Sequence, residues 1–237
     1  MFIVAVIISF IPLTALFFWL RNRLNQDDAY RAMCNNAFKR GALCILPVIL
    51  FSALSYILLR LTGLHRTHPL LYQALYTFIV LALSEEIAKY MAFRKVLKET
   101  DYPYSWLDSA VLMTIVGIGF GLLESVVYAI GASVPVVLVR GICLPHAGYG
   151  FIVGYYYGKG RKNGNSAQKW LGFALAWLMH GLYDFSLSEE FIAVNDNLVF
   201  IPLLLALMDI ILVIILIVFA KKARKQTVYT EPLPEEI

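Results

Sequence analysis

Residues 70–93 read LLYQALYTFIVLALSEEIAKYMAF and decide what kind of molecule this chain is. The stretch is long and apolar enough for one membrane-spanning helix, which needs about 20 residues. It nevertheless contains Glu85, Glu86 and Lys89. A charged group at the bilayer centre costs about 2.5–3.5 kcal/mol on insertion scales, so ionisable residues at this depth indicate a functional site.

The whole chain has the composition of a multi-pass membrane protein. Of its 237 residues, 60% are apolar or aromatic and only 15% are charged. Soluble domains have about 45–50% apolar residues and about 25% charged ones. One soluble core of this length could not bury so much apolar surface. The composition therefore excludes a soluble globular protein, a disordered chain and a nucleic-acid-binding module, and it makes the lipid bilayer the chain's surroundings.

Seven apolar segments predict an all-α integral membrane bundle of about seven transmembrane helices. They are residues 2–20, 42–63, 70–93, 107–131, 133–158, 169–188 and 198–220. We expect the first segment to be a retained helix, because its charges follow the apolar run whereas those of a signal peptide precede it. We interpret residues 1–225 as a single integral membrane domain. Residues 226–237, with two prolines and several acidic residues, are expected to form a short disordered cytoplasmic tail.

The charges between these segments predict an orientation. Lys and Arg are concentrated in every second connection and in the tail, and these residues accumulate on the cytoplasmic side of membranes. The residues concerned are Arg21, Arg23, Arg31, Lys39 and Arg40; Arg94, Lys95 and Lys98; Lys159, Arg161, Lys162 and Lys169; and Lys221, Lys222, Arg224 and Lys225. The alternation places the N-terminus outside and the C-terminus in the cytoplasm of a cell-membrane protein.

Ionisable residues recur on four consecutive predicted helices. Besides the three named above they are Glu124, Arg140, His146, His180 and Asp184, and Asp209 lies on the last helix without an assigned role. Residues three or four apart share a helix face. Lys89 can therefore pair with either glutamate, and Asp184 can orient His180. Buried ion pairs that only fix the helix packing are the alternative explanation, and a structural counter-ion is the preferred role for Lys89 and Arg140.

Small residues at four-residue spacing predict close contacts between helices. Gly117 and Gly121 lie on the fourth segment, and Gly150, Gly154 and Gly158 lie on the fifth. We expect these helices to pack tightly and to hold the polar groups in place.

Four short motifs follow one another along the chain. Residues 85–89 fit EExxK, 120–124 fit FxxxE, 140–150 fit RxxxxxHxxxG and 180–184 fit HxxxD. In this order, on successive helices, they resemble the PrsW family of bacterial intramembrane proteases. That family is similar to the CAAX-processing and bacteriocin-processing (CPBP) membrane proteases. The resemblance covers a motif-bearing core of about residues 70–190, and the outer helices, 1–63 and 198–220, carry no part of it.

The resemblance implies a membrane-embedded endopeptidase that hydrolyses a peptide bond of a membrane-anchored protein. The best-known type in the family cleaves an anti-sigma factor, so an anti-sigma factor is one candidate partner. The family's glutamates and histidines fall on Glu85, Glu86, Glu124, His146 and His180, and the supporting residues are Lys89, Arg140 and Asp184.

Two versions of the chemistry remain open at this point. In the metal-free version, which the sequence favours, Glu85 or Glu86 deprotonates a water and one of the histidines donates to the oxyanion. In the metal-dependent version a zinc ion is held by nitrogen and oxygen ligands. Its candidate ligands are His146, His180, Glu124 and one of the two adjacent glutamates, Glu86 or Glu85.

A different class of function, proton- or cation-coupled transport, would also use carboxylates and histidines within the membrane. The sequence shows no inverted repeat and no pair of broken helices of the kind that transporters use. Proteolysis is therefore the preferred hypothesis and transport is the alternative.

Overall fold

The computed structural model describes residues 2–23, 27–129, 144–194, 198 and 200–225. Arg140, to which the sequence gives a supporting role, lies outside these residues. The tail 226–237, for which the sequence predicts disorder, lies outside them as well.

Every regular element in the described ranges is helical, which confirms the all-α prediction for them. The elements are α1 (Phe2–Arg23), α2 (Asp28–Leu43), α3 (Ile45–Leu61), α4 (Leu64–Thr67), α5 (Pro69–Leu75), a π-helical segment (Tyr76–Leu83), α6 (Ser84–Glu99), α7 (Trp106–Ala129), α8 (Pro145–Lys162), α9 (Ser166–Ser186), α10 (Glu189–Ile192) and α11 (Phe200–Lys225).

Four helical stretches in the described part of the chain are long and apolar enough to cross a membrane. They run over Asp28–Leu61, Pro69–Glu99, Trp106–Val127 and Phe200–Lys222. Four of the seven predicted segments overlap these stretches. The chain is therefore a multi-pass membrane protein, whereas the count of seven spans stays a prediction.

The segment after α1 differs from the sequence-based expectation. It is predicted as a charged connection, but Asp28–Leu43 form helix α2. The carboxylate of Asp27 caps this helix by accepting a hydrogen bond from the Ala29 N–H at 2.7 Å. The buried residues of α2 recur every three or four positions and are Tyr30, Met33, Cys34, Ala37 and Gly41. The loop interpretation is wrong because the charges between these positions hide the helical period.

The predicted glycine stripe packs α8 against α7. Most residues of α8 are buried, which makes it a central helix of the bundle. A Cβ atom on Gly150 would lie 2.5 Å from the carbonyl oxygen of Met113, and one on Gly154 would lie 2.3 Å from that of Ser109. Only a residue without a side chain fits at such distances, so the prediction of close packing is confirmed. The two helices that meet here carry residues of the motifs, Glu124 on α7 and His146 on α8.

The outer surface of the bundle is apolar and its interior holds the charges. Helices α3 and α11 expose large aliphatic side chains, among them Leu50, Leu61 and Leu204. Glu86, Lys89 and other ionisable residues are buried instead. This distribution suits a bundle surrounded by lipid, in which polar side chains face the bundle interior.

A π-helical segment leads into the first motif. Tyr76–Leu83 joins α5 to α6 without interruption, and the Ser84 hydroxyl donates to the carbonyl oxygens of Val80 at 2.6 Å and Leu81 at 2.9 Å. Such π-helical turns are rare and occur frequently at functional sites. The continuous stretch places Glu85 near its middle.

Candidate functional site

Four helices bring ionisable side chains into one buried cluster. The cluster consists of Glu85, Glu86 and Lys89 from α6, Glu124 from α7, His146 from α8, and His180 and Asp184 from α9. Glu86, Lys89 and His180 each expose 1% or less of their surface. All four sequence motifs therefore contribute residues to the same place, apart from Arg140, which lies outside the described residues.

The cluster lies near one end of three of these helices. Glu124 is five residues before the end of α7, about 8 Å along the axis, and His146 is the second residue of α8. Asp184 is two residues before the end of α9. The polar groups are thus closer to one face of the bundle than to the other.

Glu86 is a shared acceptor in the cluster. Its Oε1 accepts a hydrogen bond from the Lys89 ammonium at 2.5 Å and one from His180 Nδ1 at 2.9 Å. The ammonium also lies 4.8 Å from the centroid of the Phe120 ring, which is a cation–π contact. The first residue of the FxxxE motif therefore lines the site beside the lysine.

His146 is held at both ring nitrogens. Lys89 Nζ lies 3.0 Å from Nδ1, and Glu124 Oε2 lies 2.5 Å from Nε2. An ammonium only donates hydrogen bonds, and an ionised carboxylate only accepts them. On a neutral imidazole the hydrogen is therefore assigned to Nε2, and the lone pair is on Nδ1.

His180 has the opposite arrangement. Its Nδ1–H donates to Glu86, while Nε2 lies 3.2 Å from Asp184 Oδ2 and 3.6 Å from Glu85 Oε2. Among the described residues, both Nε2 and Glu85 Oε2 are buried without a hydrogen-bond partner. A lone pair that faces carboxylate oxygens is repelled by them, so a proton or a metal ion at Nε2 stabilises this geometry. Glu86 thus contacts Nδ1, and Asp184, which the spacing of HxxxD predicts to orient His180, approaches the other ring nitrogen.

The described part of the cluster has an excess of negative charge. Four carboxylates, those of Glu85, Glu86, Glu124 and Asp184, face the single ammonium of Lys89. With every carboxylate ionised and both histidines neutral, four negative charges and one positive charge give a net charge of −3. A buried site tolerates such an excess only when protons or a cation compensate it.

Three residues bring possible metal-donor atoms close to one another. One ligand atom each from Glu85, His146 and His180 lies within 4.8 Å of the other two. The second ring nitrogen of each histidine contacts a carboxylate, as is common for metal-binding histidines. Glu86 and Glu124 are hydrogen-bonded to the two imidazoles and are not in this group of three, and the choice of metal ligands stays a prediction. The three residues offer two imidazole nitrogens and a carboxylate oxygen, which are donor types that zinc takes.

Two residues in contact with the cluster have no role in the sequence-based prediction. The Tyr149 ring stacks on the His180 imidazole, with centroids 5.1 Å apart, and its hydroxyl donates to Asp209 Oδ2 at 3.3 Å. Tyr149 follows His146 by three residues, so helical spacing places the two on one face. Asp209 is an intramembrane acid on α11, and its partner could not be inferred because it lies on a different helix.

The comparison with protein families agrees with the arrangement of the motifs. The family model described as PrsW family intramembrane metalloprotease matches residues 31–219. The chain belongs to this family. The match to the PrsW family confirms the resemblance predicted from the motifs. It is wider than the predicted core, because it also includes α3 and most of α2 and α11, helices that the sequence-based interpretation leaves outside the resemblance.

Several relatives carry the name Protease PrsW. The one from Oceanobacillus iheyensis is 31% identical over 115 residues, which cover 47% of this chain and 54% of the relative. The one from Bacillus subtilis is 39% identical over 97 residues, covering 37% and 44% of the two chains. The one from Halalkalibacterium halodurans is 30% identical over 178 residues, covering 71% and 75%. The chain spans about half the length of the first two PrsW relatives. No solved structure matches it.

Proposed function

We propose that this chain is an intramembrane endopeptidase that hydrolyses a peptide bond of a membrane-anchored protein. The observation that carries the proposal is the presence of two histidine–carboxylate pairs, His180 with Glu86 and His146 with Glu124, next to Glu85 inside a membrane bundle. Membership of the PrsW family and the names of the relatives support peptide hydrolysis as the reaction. Neither comparison favours the transport alternative.

The metal-dependent version of this chemistry has the better support. Glu85, His146 and His180 would hold a divalent ion such as zinc, and three protein ligands of this kind are typical of catalytic zinc sites. When bound, such an ion polarises the scissile carbonyl and lowers the pKa of a bound water to about 7. The description of the family as metalloproteases favours this version over the metal-free one.

The remaining groups position these donors and handle protons. Glu86 and Glu124 each fix the tautomer and the rotation of one imidazole through a direct hydrogen bond. Lys89 compensates the charge of Glu86 at 2.5 Å. Asp184 lies 3.2 Å from His180 Nε2 and positions that imidazole, and in the metal-free version Glu85, at 3.6 Å from the same nitrogen, takes the proton of an attacking water.

The position of the cluster suggests where the substrate is cut. The proposed orientation, with seven spans, the N-terminus outside and the C-terminus in the cytoplasm, places the ends of α7 and α9 near the outer face. Glu124 and Asp184 lie close to these ends. Water would reach the site from that side, so we infer cleavage at or just outside the outer membrane boundary of a single-pass protein. A membrane-anchored anti-sigma factor is one substrate with this architecture.

Mass spectrometry of newly formed protein termini tests the proposal. Bacterial membranes that contain the wild type are compared with membranes that contain Glu85→Gln, and with a matched control, Glu189→Gln, whose carboxylate is exposed. We expect new termini near the outer membrane boundary with the wild type and the control, and none with Glu85→Gln. The same termini with all three proteins would refute proteolysis by this chain. Cuts on the cytoplasmic side would refute the proposed orientation or water route.

A further inference from the structure

A groove with a volume of about 670 Å³ lies on the surface of the bundle, between the end of α2 with α3 on one side and the π-helical segment with α6 on the other. Its two walls are built from stripes with four-residue spacing, which is the spacing of one helix face. Arg40, Cys44 and Val48 form the core of one stripe, and Ile87, Met91 and Lys95 belong to the other. The volume is in the range of about 300–1,000 Å³ that is typical of small-molecule sites.

Both cations of the groove lie at the same end. Arg40 begins the first stripe and Lys95 ends the second, and Arg40 contacts Glu99, one helical turn beyond Lys95. The two stretches therefore run antiparallel along the groove. A guanidinium has five N–H donors, and the contacts of Arg40 with Asn36 and Glu99 use two of its three nitrogens. The cationic end can thus accept an anionic ligand.

The polar side chains that line the rest of the groove, those of Ser84 and Cys44, already donate hydrogen bonds within the protein. Ser84 donates its hydroxyl hydrogen to carbonyl groups of its own helical stretch. The Cys44 thiol donates to the Gly41 carbonyl oxygen at 3.1 Å. The other lining residues are mainly apolar, and Met91 exposes 65% of its surface. The groove therefore combines a long apolar trough with a basic end.

We propose that this groove binds one anionic phospholipid, with an acyl chain along the apolar walls and the phosphate between Arg40 and Lys95. The first stripe, from Arg40 to Phe51, extends about 16 Å and the second, from Ile79 to Lys95, about 24 Å, so the groove is long enough for an acyl chain that fills one leaflet, about half of the ~30 Å hydrocarbon core. Basic pockets between transmembrane helices on the cytoplasmic side bind anionic headgroups.

The charge at the basic end disfavours the transmembrane helix of a protein substrate as the occupant. Such helices carry Lys and Arg on their cytoplasmic side. Arg40 and Lys95 belong to segments that the same rule assigns to the cytoplasm, so they would repel those residues. A full spanning helix also needs about 30 Å of contact, which is longer than either stripe, about 16 Å for the first and about 24 Å for the second.

Lipid selectivity measured with spin-labelled phospholipids tests the proposal. The purified full chain is reconstituted in phosphatidylcholine vesicles that contain spin-labelled phosphatidylglycerol or spin-labelled phosphatidylcholine. We expect preferential retention of phosphatidylglycerol. The preference should fall about fivefold in Lys95→Gln, the factor that corresponds to about 1 kcal/mol per basic residue near an anionic lipid. Arg40→Gln should behave similarly, but it also removes the contact with Glu99, so the Lys95 variant decides.

Lys98→Gln is the matched control, because Lys98 is exposed on the same helix and does not line the groove. It should retain the wild-type preference. Equal retention of the two lipids by the wild type, or a preference that Lys95→Gln leaves intact, would overturn the proposal. A photoreactive residue in place of Met91 should crosslink to lipid. A crosslink to the transmembrane helix of another protein would show that a helix occupies the groove instead, and would overturn the proposal.

Discussion

The hydroxyl of Tyr149 donates to Asp209 Oδ2 at 3.3 Å, and this bond connects α11 to the candidate site. Asp209 is buried, and its other oxygen, Oδ1, has no hydrogen-bond partner among the described residues. The Tyr149 ring in turn stacks on His180 with an angle of 23° between the planes. Asp209 therefore supports the rotation of His180 through the tyrosine, without touching the histidine itself.

Two substitutions of Tyr149 separate its ring from its hydroxyl. Tyr149→Phe keeps the stack but leaves Asp209 without its donor, so stability should fall by about 1–3 kcal/mol while turnover changes little. Tyr149→Leu also removes the stack, and turnover should fall at least tenfold. Unfolding in detergent and the kcat of each variant provide the readouts. Equal turnover of the two variants would show that the ring does not position His180.

Glu85 and Glu86 should differ in what they contribute to stability. Glu85→Gln is expected to lose at least ~100-fold in activity and to stay folded, because Glu85 Oε2 has no hydrogen bond to lose among the described residues. Glu86→Gln should lose activity as well and be destabilised by about 3–5 kcal/mol, since its carboxylate accepts from Lys89 and His180. Cleavage assays and unfolding curves on both variants test this difference. Wild-type turnover of either variant would contradict its place in the site.

His180 and Asp184 are expected to differ in their effect on the reaction. His180→Ala removes one of the three candidate metal ligands, Glu85, His146 and His180, and should lower kcat by at least ~100-fold. Asp184→Asn keeps the shape of a residue that approaches Nε2 at 3.2 Å, and a loss of about 10–100-fold is expected. Single-turnover kinetics with a defined membrane-anchored substrate would measure both losses. Complete loss in both variants would indicate that the aspartate contacts the reacting group directly.

Metal analysis of the purified protein distinguishes the two versions of the chemistry. We expect about one zinc per chain in the wild type, and loss of activity on chelation that added zinc restores. Glu85→Gln and His180→Ala should each lower the bound metal, which mass spectrometry of the intact protein measures without an activity assay. Full activity after complete removal of metal would favour the metal-free version, in which Glu85 acts as the base.

Two glycines on α8 form a matched pair for testing the packing of this helix. A Cβ on Gly154 would lie 2.3 Å from the Ser109 carbonyl oxygen, whereas one on Gly148 would meet its nearest atom, the Asp209 carbonyl oxygen, at 3.4 Å. Gly154→Ala should therefore cost about 1–3 kcal/mol through forced backbone shifts. Gly148→Ala should stay within about 0.5 kcal/mol of the wild type. Similar stabilities of both variants would refute the close contact between α7 and α8.

The sequence predicts that the motifs come together in the bundle, but it does not predict which residue of one motif contacts which residue of another. Ionisable residues in apolar segments must face the bundle interior, and this rule identifies Glu86 and His146 without a structure. Which glutamate contacts which histidine depends on the rotation of each helix, and adjacent residues such as Glu85 and Glu86 point about 100° apart. Motif spacing does not report that rotation, and between α7 and α8 it depends on backbone contacts at glycines.

Helix α2 could not be recognised for a related reason. Its charged residues are typical of a connection between two spans, so the sequence predicts a connection there. The buried positions between the charges are then not recognised as one face of a helix. The contact of Gly41 with Val116, and that of Gly119 with Phe38, show that α2 is part of the helical core. Such contacts join positions far apart in the sequence, and no local pattern predicts them.

The ion pair between Glu86 and Lys89 has a consequence for the biogenesis of the protein. The two residues lie three positions apart on α6, so their pair forms as soon as that helix does. Helices α8 and α9, which carry the histidines, are synthesised only later. The translocon therefore receives a segment in which one carboxylate is already neutralised, and only Glu85 enters the membrane without a partner on its own helix. A two-residue insertion between them places them five positions apart, off a common helix face, and should impair membrane insertion of the nascent chain before any later helix exists.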